Sequence, residues 1–238
     1  MKKSILILCA IAFVGLTNIA QSQTLEDILS KHFKAVGLDK LIAAKTIIIT
    51  AKIKQMGMEM PLEMQVKKPN KFIVSFDMQG QKMIQAFDGE KGWVIAPWIS
   101  PDPQELTGDQ LRLAQQQVNL EGDLYNYKEK GSVAELIGKV NIDGKEAYRI
   151  KLTTNDNSAK DFFVDANSYY INSVKASVLA QGQTMSIEQK MSNYKTFDGI
   201  TMPTLIVSNS PMGNVEIVYE DIKFNENIND AVFKQPVK

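Results

Sequence analysis

Apolar residues change their spacing twice along the chain, and each change marks a different kind of element. From Thr24 the positions Leu25, Ile28, Leu29, Phe33 and Val36 recur at about 3.6 residues, which predicts an amphipathic helix capped by Thr24 and stopped by Gly37. A short second helix is expected from Asp39 to Ala44. The period then falls to two. TIIITAKIK, PLEMQVKKP, KFIVSFDMQG, KMIQAF and GWVIA read as strands, with DGEK joining the last two as a hairpin. In KFIVSFDM, Phe72, Val74, Phe76 and Met78 share one face, opposite Lys71, Ser75 and Asp77, so one side of the sheet is apolar and the other wet.

After a break at PWISPDP, LTGDQLRLAQQQVNLEGDL returns to helical spacing, with Leu111, Ala114 and Val118 on one stripe and Thr107 with Gln110 as a capping box. The internal QQQ makes this helix too polar to be wholly enclosed, so it is expected to cover its neighbours in part, as a lid. From Tyr127 the strand pattern resumes, punctuated by IDGK, TNDNS, DANS, AQGQ, FDGI and SPMG. Tight turns between strands with one polar face predict an antiparallel meander. The predicted fold is α+β, mainly β: an unclosed antiparallel barrel of about eleven strands, with an N-terminal helix and an inserted lid helix over its concave face. No linker, low-complexity stretch or repeat divides residues 23–238, which are read as a single domain.

QMGMEMPLEM, residues 55–64, leaves two readings open. A continuous strand would put Met56, Met58, Met60, Leu62 and Met64 on one face; alternatively Gly57 places a hairpin turn, Pro61 marks a strand start or edge, and the methionines divide between tip and core. Methionine's unbranched thioether fills irregular apolar space, as a surface receiving guests of varied shape requires.

The first 22 residues carry Lys2 and Lys3, an apolar run from Ile5 to Leu16, and Ala20, Gln21 and Ser22 at signal-peptidase spacing. Export to the periplasm is expected, with cleavage after Ser22 or Ala20. Cys9 follows Leu8 with almost no apolar run before it, so no lipid anchor is expected, and the run is short for a membrane span. Cleavage takes Lys2, Lys3 and the only cysteine, leaving 25 of the 27 basic residues against 27 acidic. That balance carries no nucleic-acid footprint, and without cysteine neither disulfides nor thiolate chemistry is available. A monomer is expected.

Catalytic signals are sparse. His32, the single histidine, lies beside the apolar stripe of the first helix and is read as a boundary residue; no GxSxG, P-loop, GxGxxG or zinc pattern accompanies it. Glu59 and Glu63 are read as solvated. No cofactor or metal is expected, and a hydrolase would need two carboxylates facing each other across a cleft.

VKKPNKFIVSF, followed by AFDGEKGWVIAPW, resembles the LolA family of periplasmic lipoprotein carriers. Val66, Lys67, Pro69, Asn70 and Phe72 match its Val-Lys-Arg-Pro-Asn-x-Phe stretch; Asp88, Gly89, Trp93, Pro97 and Trp98 match the turn and Trp-x-x-x-Pro-aromatic strand before the lid helix. AVFKQP resembles the closing Phe-x-x-Pro. The resemblance implies an open barrel under a helical lid that holds acyl chains of lipoproteins or another lipid, loaded by an inner-membrane lipoprotein-release transporter and unloaded by an outer-membrane acceptor. The arginine that ties the family's lid closed is Lys68 here, which keeps the charge without the planar fork of donors. The expected lipid-contacting set is Met58, Met60, Met64, Phe72, Val74, Phe76, Trp93, Trp98, Leu111 and Val118, with Lys68 as the lid lock.

Physics constrains such a site. A buried methylene contributes about 0.8 kcal/mol, so a carrier must enclose its cargo. An empty apolar cavity costs about 24 cal/mol per Å³, so the resting site must close or collapse. The alternative is a sensor or scaffold module that binds a protein segment along a sheet edge.

Overall fold

The computed structural model describes residues 23–180, 183–211 and 213–236. The leader expected over residues 1–22 lies outside them. Helix α1 (Leu25–Val36) starts at a reciprocal capping box: Thr24 Oγ1 accepts the Asp27 amide, and the Asp27 carboxylate accepts the Thr24 amide. It stops at Gly37 (φ 65°), where a Cβ would lie 2.2 Å from the Gly199 carbonyl oxygen, so glycine serves both the left-handed turn and the close approach to the sheet. Helix α2 (Leu38–Ala43) follows.

Thirteen strands occur among the described residues, all antiparallel in one unclosed sheet. The first six form a meander: β1 (Thr46–Gln55), β2 (Met58–Lys67), β3 (Lys71–Met78), β4 (Gln81–Phe87), β5 (Gly92–Ala96) and β6 (Ser100–Glu105). Helix α3 (Gly108–Gln116) and turns to Ser132 lead to β7 (Val133–Ile142), β8 (Lys145–Thr153), β9 (Ala159–Asp165), β10 (Ile171–Ala180), β11 (Gln183–Phe197), β12 (Ile200–Ser210) and β13 (Gly213–Phe224). β13 pairs with β1, so the spatial order runs from β6 through β1, β13 and β10 to β7.

Two features enlarge the count beyond eleven and shorten the lid. The break expected at PWISPDP runs into β6: prolines survive there because the strand is an edge, where Pro101 and Pro103 need donate no ladder bond. The lid helix ends at Gln116, short of the expected Leu124, and Thr107 makes no side-chain cap bond, so the capping box with Gln110 does not form. Strand structure resumes at Val133, after turns from Gln117 to Ser132 that carry Val118, Leu124 and Tyr127 into the interior.

Because β6 and β7 are the two free edges, α3 and these turns form a strap that joins one edge to the other over the inner face. Its residues Ala114 and Val118 pack into a core with Leu38, Leu41, Ile47, Val66, Phe72, Phe87 and Phe224. Farther along, Leu124 and Tyr127 join a second core with Ile28, Leu29, Ile150, Leu152, Phe162 and Val164. On the outer face, the C-terminal segment packs Phe233 fully buried, and Lys67 and Lys71 grip Asp230 at 2.5 and 2.8 Å, hydrogen bonds that hold its carboxyl down to about 2.

Both edges are blunted against further pairing. β6 lacks two amide donors, while β7 carries a bulge between Leu136 and Gly138 and turns Lys139 inward over the Tyr148 ring (5.4 Å).

Candidate functional site: the inner apolar face

Strand pairing assembles the inner face row by row. Val66 opposes Ile47 and Phe72; Met64 opposes Ile49 and Val74; Leu62 opposes Ala51 and Phe76; Met60 opposes Ile53. The rows extend through Ile217, opposite Ile53, to Ile206, and through Phe76 to Met83. Burial is graded along them. The row beneath the helices is sealed, with Val66 and Phe72 wholly buried, whereas Leu62, Met64, Val74, Ile217 and Tyr219 are half-buried at its border, and Ile53 and Phe76 are half-buried beyond it.

A hairpin at Met56 and Gly57 (φ 51° and 77°) resolves QMGMEM: Met56 is an exposed tip outside the face. β2 starts at Met58, and alternation carries Met58, Met60, Leu62 and Met64 inward. Met58 stands at the rim, where the Gln79 amide reaches its Sδ at 3.9 Å; Met60 is buried; Met64 is half-buried.

Of the other expected residues, Val74 and Phe76 lie on the open part of this face, whereas Phe72 belongs to the sealed core. Leu111 packs from α3 over Gly92, where a Cβ would come 3.0 Å from its Cδ1, and Val118 is buried in the strap. The tryptophans lie elsewhere. Trp93 follows Gly92 in β5 and precedes the inward Val94, so its ring points to the outer side, where Nε1 donates to the Phe233 carbonyl at 2.8 Å. Trp98 sits in the β5–β6 turn, 46% exposed. Both are removed from the inner-face set: the matched Trp-x-x-x-Pro-aromatic motif is a structural clasp and a turn. Leu62, named with the methionine face, was left out of the expected lipid-contacting set; Ile53, Ile217 and Tyr219 were not singled out, though all three are recoverable from the alternation of TIIITAKIK and NVEIVY once β13 is paired with β1.

The strap is fastened at identifiable points. Lys68, the residue after β2, uses all three ammonium hydrogens: Nζ donates to the carbonyls of Leu41 (2.8 Å) and Ile42 (3.2 Å) at the end of α2 and to Glu121 Oε1 in the strap (2.6 Å). The side chains of this pair are 18% and 19% exposed, which limits solvent screening. Lys160 of β9 holds Asp123 at 2.6 Å. Two hollows undercut the strap, about 430 Å³ beside Leu29, Phe33, Leu124 and Tyr127 and about 470 Å³ beside Phe87, Gln115 and Val118. His32 is buried, deeper than a boundary position; its Nδ1 lies 2.8 Å from the Tyr169 carbonyl, and burial lowers its pKa against that bond. Among the described residues, no cluster of three or more His, Cys, Asp or Glu side chains could hold a metal, and no helix is long and apolar enough to cross a membrane.

No family model and no curated protein matches the chain. Solved structures do. A DUF1329 family protein from Desulfovibrio piger aligns over 87% of this chain and 97% of its own, at 17% identity and a TM-score of 0.62. A LolA superfamily protein from Nitrosomonas europaea aligns over 90% and 98%, at 17% identity and 0.59. The fold is LolA-like. An outer-membrane lipoprotein-sorting domain from Vibrio parahaemolyticus aligns over 85% of the chain and 97% of its own, at 12% identity and 0.55. The LolA-like sheet accounts for an inner apolar face under a helical cover, and Lys68 directly follows the strand that leads into the Pro-Asn turn.

Proposed function

We propose that this protein is an exported carrier that holds the acyl chains of a lipoprotein, or of another lipid, against the inner face of its sheet and shuttles them toward the outer membrane. The observation that supports this is the gradient of cover: the inner face continues as half-buried apolar rows past the margin of the helices. A partly covered apolar surface beside a cover held by polar contacts can accept a chain when the cover shifts, gaining about 0.8 kcal/mol per methylene removed from water. The binding set is Met58, Met60, Leu62, Met64, Val74, Phe76 and Ile217, with Leu111 and Val118 above it. Lys68 is the latch, its three hydrogen bonds serving where a forked guanidinium would serve elsewhere.

Loading and release then require partners that exchange hydrophobic cover, an inner-membrane lipoprotein-release transporter and an outer-membrane acceptor. The reading involves no cofactor and no enzymatic step. The edge-binding scaffold loses support because both edges are blunted. The test replaces Phe76 and Ile217 together with aspartate in the mature protein and titrates a fluorescent fatty acid. Loss of affinity by at least about tenfold with unchanged circular dichroism is expected; unchanged affinity would remove this face from the site.

A further inference from the structure

The outer face carries a second recess that the carrier reading does not use. It has a volume of about 640 Å³ and lies where the β7–β8 hairpin turn meets the outer side of β10, β11 and β12. Asp143 of that turn is tied to Lys190 of β11 at 3.1 Å. Tyr170 and Tyr194 line the recess as a stacked pair, 4.3 Å between centroids and 15° between planes, and Tyr194 is anchored by its hydroxyl to the Ile171 carbonyl at 2.6 Å.

The polar groups around these rings are mostly donors, and several lack partners. Ser173 also lines the recess; it is 2% exposed, and its hydroxyl makes no hydrogen bond. Lys145 and the Tyr170 hydroxyl have no partner among the described residues. Two lysines against one aspartate leave the recess net positive. β10, β11 and β12 are interior strands whose backbone groups are engaged by their neighbours, so a guest is read by side chains alone. That excludes recognition of an extended peptide by strand addition. A rigid aromatic surface ringed by hydroxyl and ammonium donors fits a ring that is apolar on one face, hydroxylated at its edge and negatively charged.

We propose that this recess binds an anionic sugar, a phosphorylated or uronic pyranose, with its C–H face against Tyr170, its hydroxyls toward Ser173, and its charge on Lys145 and Lys190. The sugar is either part of a free glycan or the headgroup of a glycolipid.

Calorimetric titration of the mature protein with glucosamine 1-phosphate, galacturonate, glucosamine and inorganic phosphate tests this. Saturable binding of the two anionic sugars, weakened at least about tenfold by Lys145→Glu and by Tyr170→Ala while fatty-acid binding is retained, is the expected result. Lys145 is exposed, so its variant keeps the test meaningful should Tyr170→Ala fail to fold. Flotation with phosphatidylcholine vesicles, plain or doped with a phosphorylated hexosamine glycolipid, assigns the source: Lys145-dependent capture of doped vesicles alone identifies a headgroup, and binding of the free sugars without capture identifies a glycan. Inorganic phosphate binding as tightly as the sugar phosphate, binding indifferent to both substitutions, or no saturable binding to sugars or vesicles would overturn the proposal.

Discussion

At the scale of single residues, the decisive positions satisfy polar groups near apolar surface. Lys68 joins α2, β2 and the strap, and Lys68→Met leaves the Leu41 and Ile42 carbonyls and the little-exposed Glu121 carboxylate without their cation. The expected cost is about 1–3 kcal/mol in denaturant unfolding, with faster fatty-acid uptake as the strap loosens; unchanged stability and uptake together would show that the latch does nothing. His32 supplies a pH signature. Burial lowers its folded pKa below the ordinary 6.5, so the unfolded chain binds more protons beneath that value and stability falls as pH drops through it toward the folded pKa. Melting temperature should therefore decline below about pH 6.5, and His32→Gln should flatten that part of the profile. The motif drew attention to Lys68 and gave no sign of Glu121, because a partner 53 positions away is set by the path of the strap. It misplaced Trp93 for a related reason: alternation gives the phase of a strand, but only the C-terminal segment across the outer face shows what covers it.

At the scale of elements, local chemistry determined the outcome wherever it was strong. The first helix has a capping box, an apolar stripe and a glycine stop, and it forms with those boundaries. Gly37→Ala is expected to destabilise by more than about 1 kcal/mol in thermal melts, since the left-handed backbone and the Gly199 carbonyl both oppose a Cβ. IDGK, TNDNS, DANS and FDGI each separate two strands, while AQGQ and SPMG run into positions outside the described residues. Failures came where tertiary context prevailed. Two prolines argued against β6, yet an edge tolerates them, and a helical stripe through QQQVNL was overridden as the chain turned to cross from one core to the other. The methionine run was legible in its period and ambiguous only in the tip at Gly57, where a glycine inside alternating residues permits either a bulge or a turn.

At the scale of the molecule, the thirteen described strands curl into a sheet whose inner side is larger than α1, α2 and the strap can seal. Its two edges are blunted against further strands, and its inner face stays only partly covered. That face could be anticipated from period-two alternation, while its division into sealed and open parts depends on where the cover lands. Photo-crosslinking with a diazirine-bearing fatty acid, mapped by peptide mass spectrometry, tests whether this surface receives an acyl chain. Crosslinks confined to the inner positions of β1–β3 and β13, among them Met64, Val74, Phe76 and Ile217, are the predicted result. Crosslinks restricted to the outer face or the hairpin tips, or none above the level of unfolded protein, would contradict it.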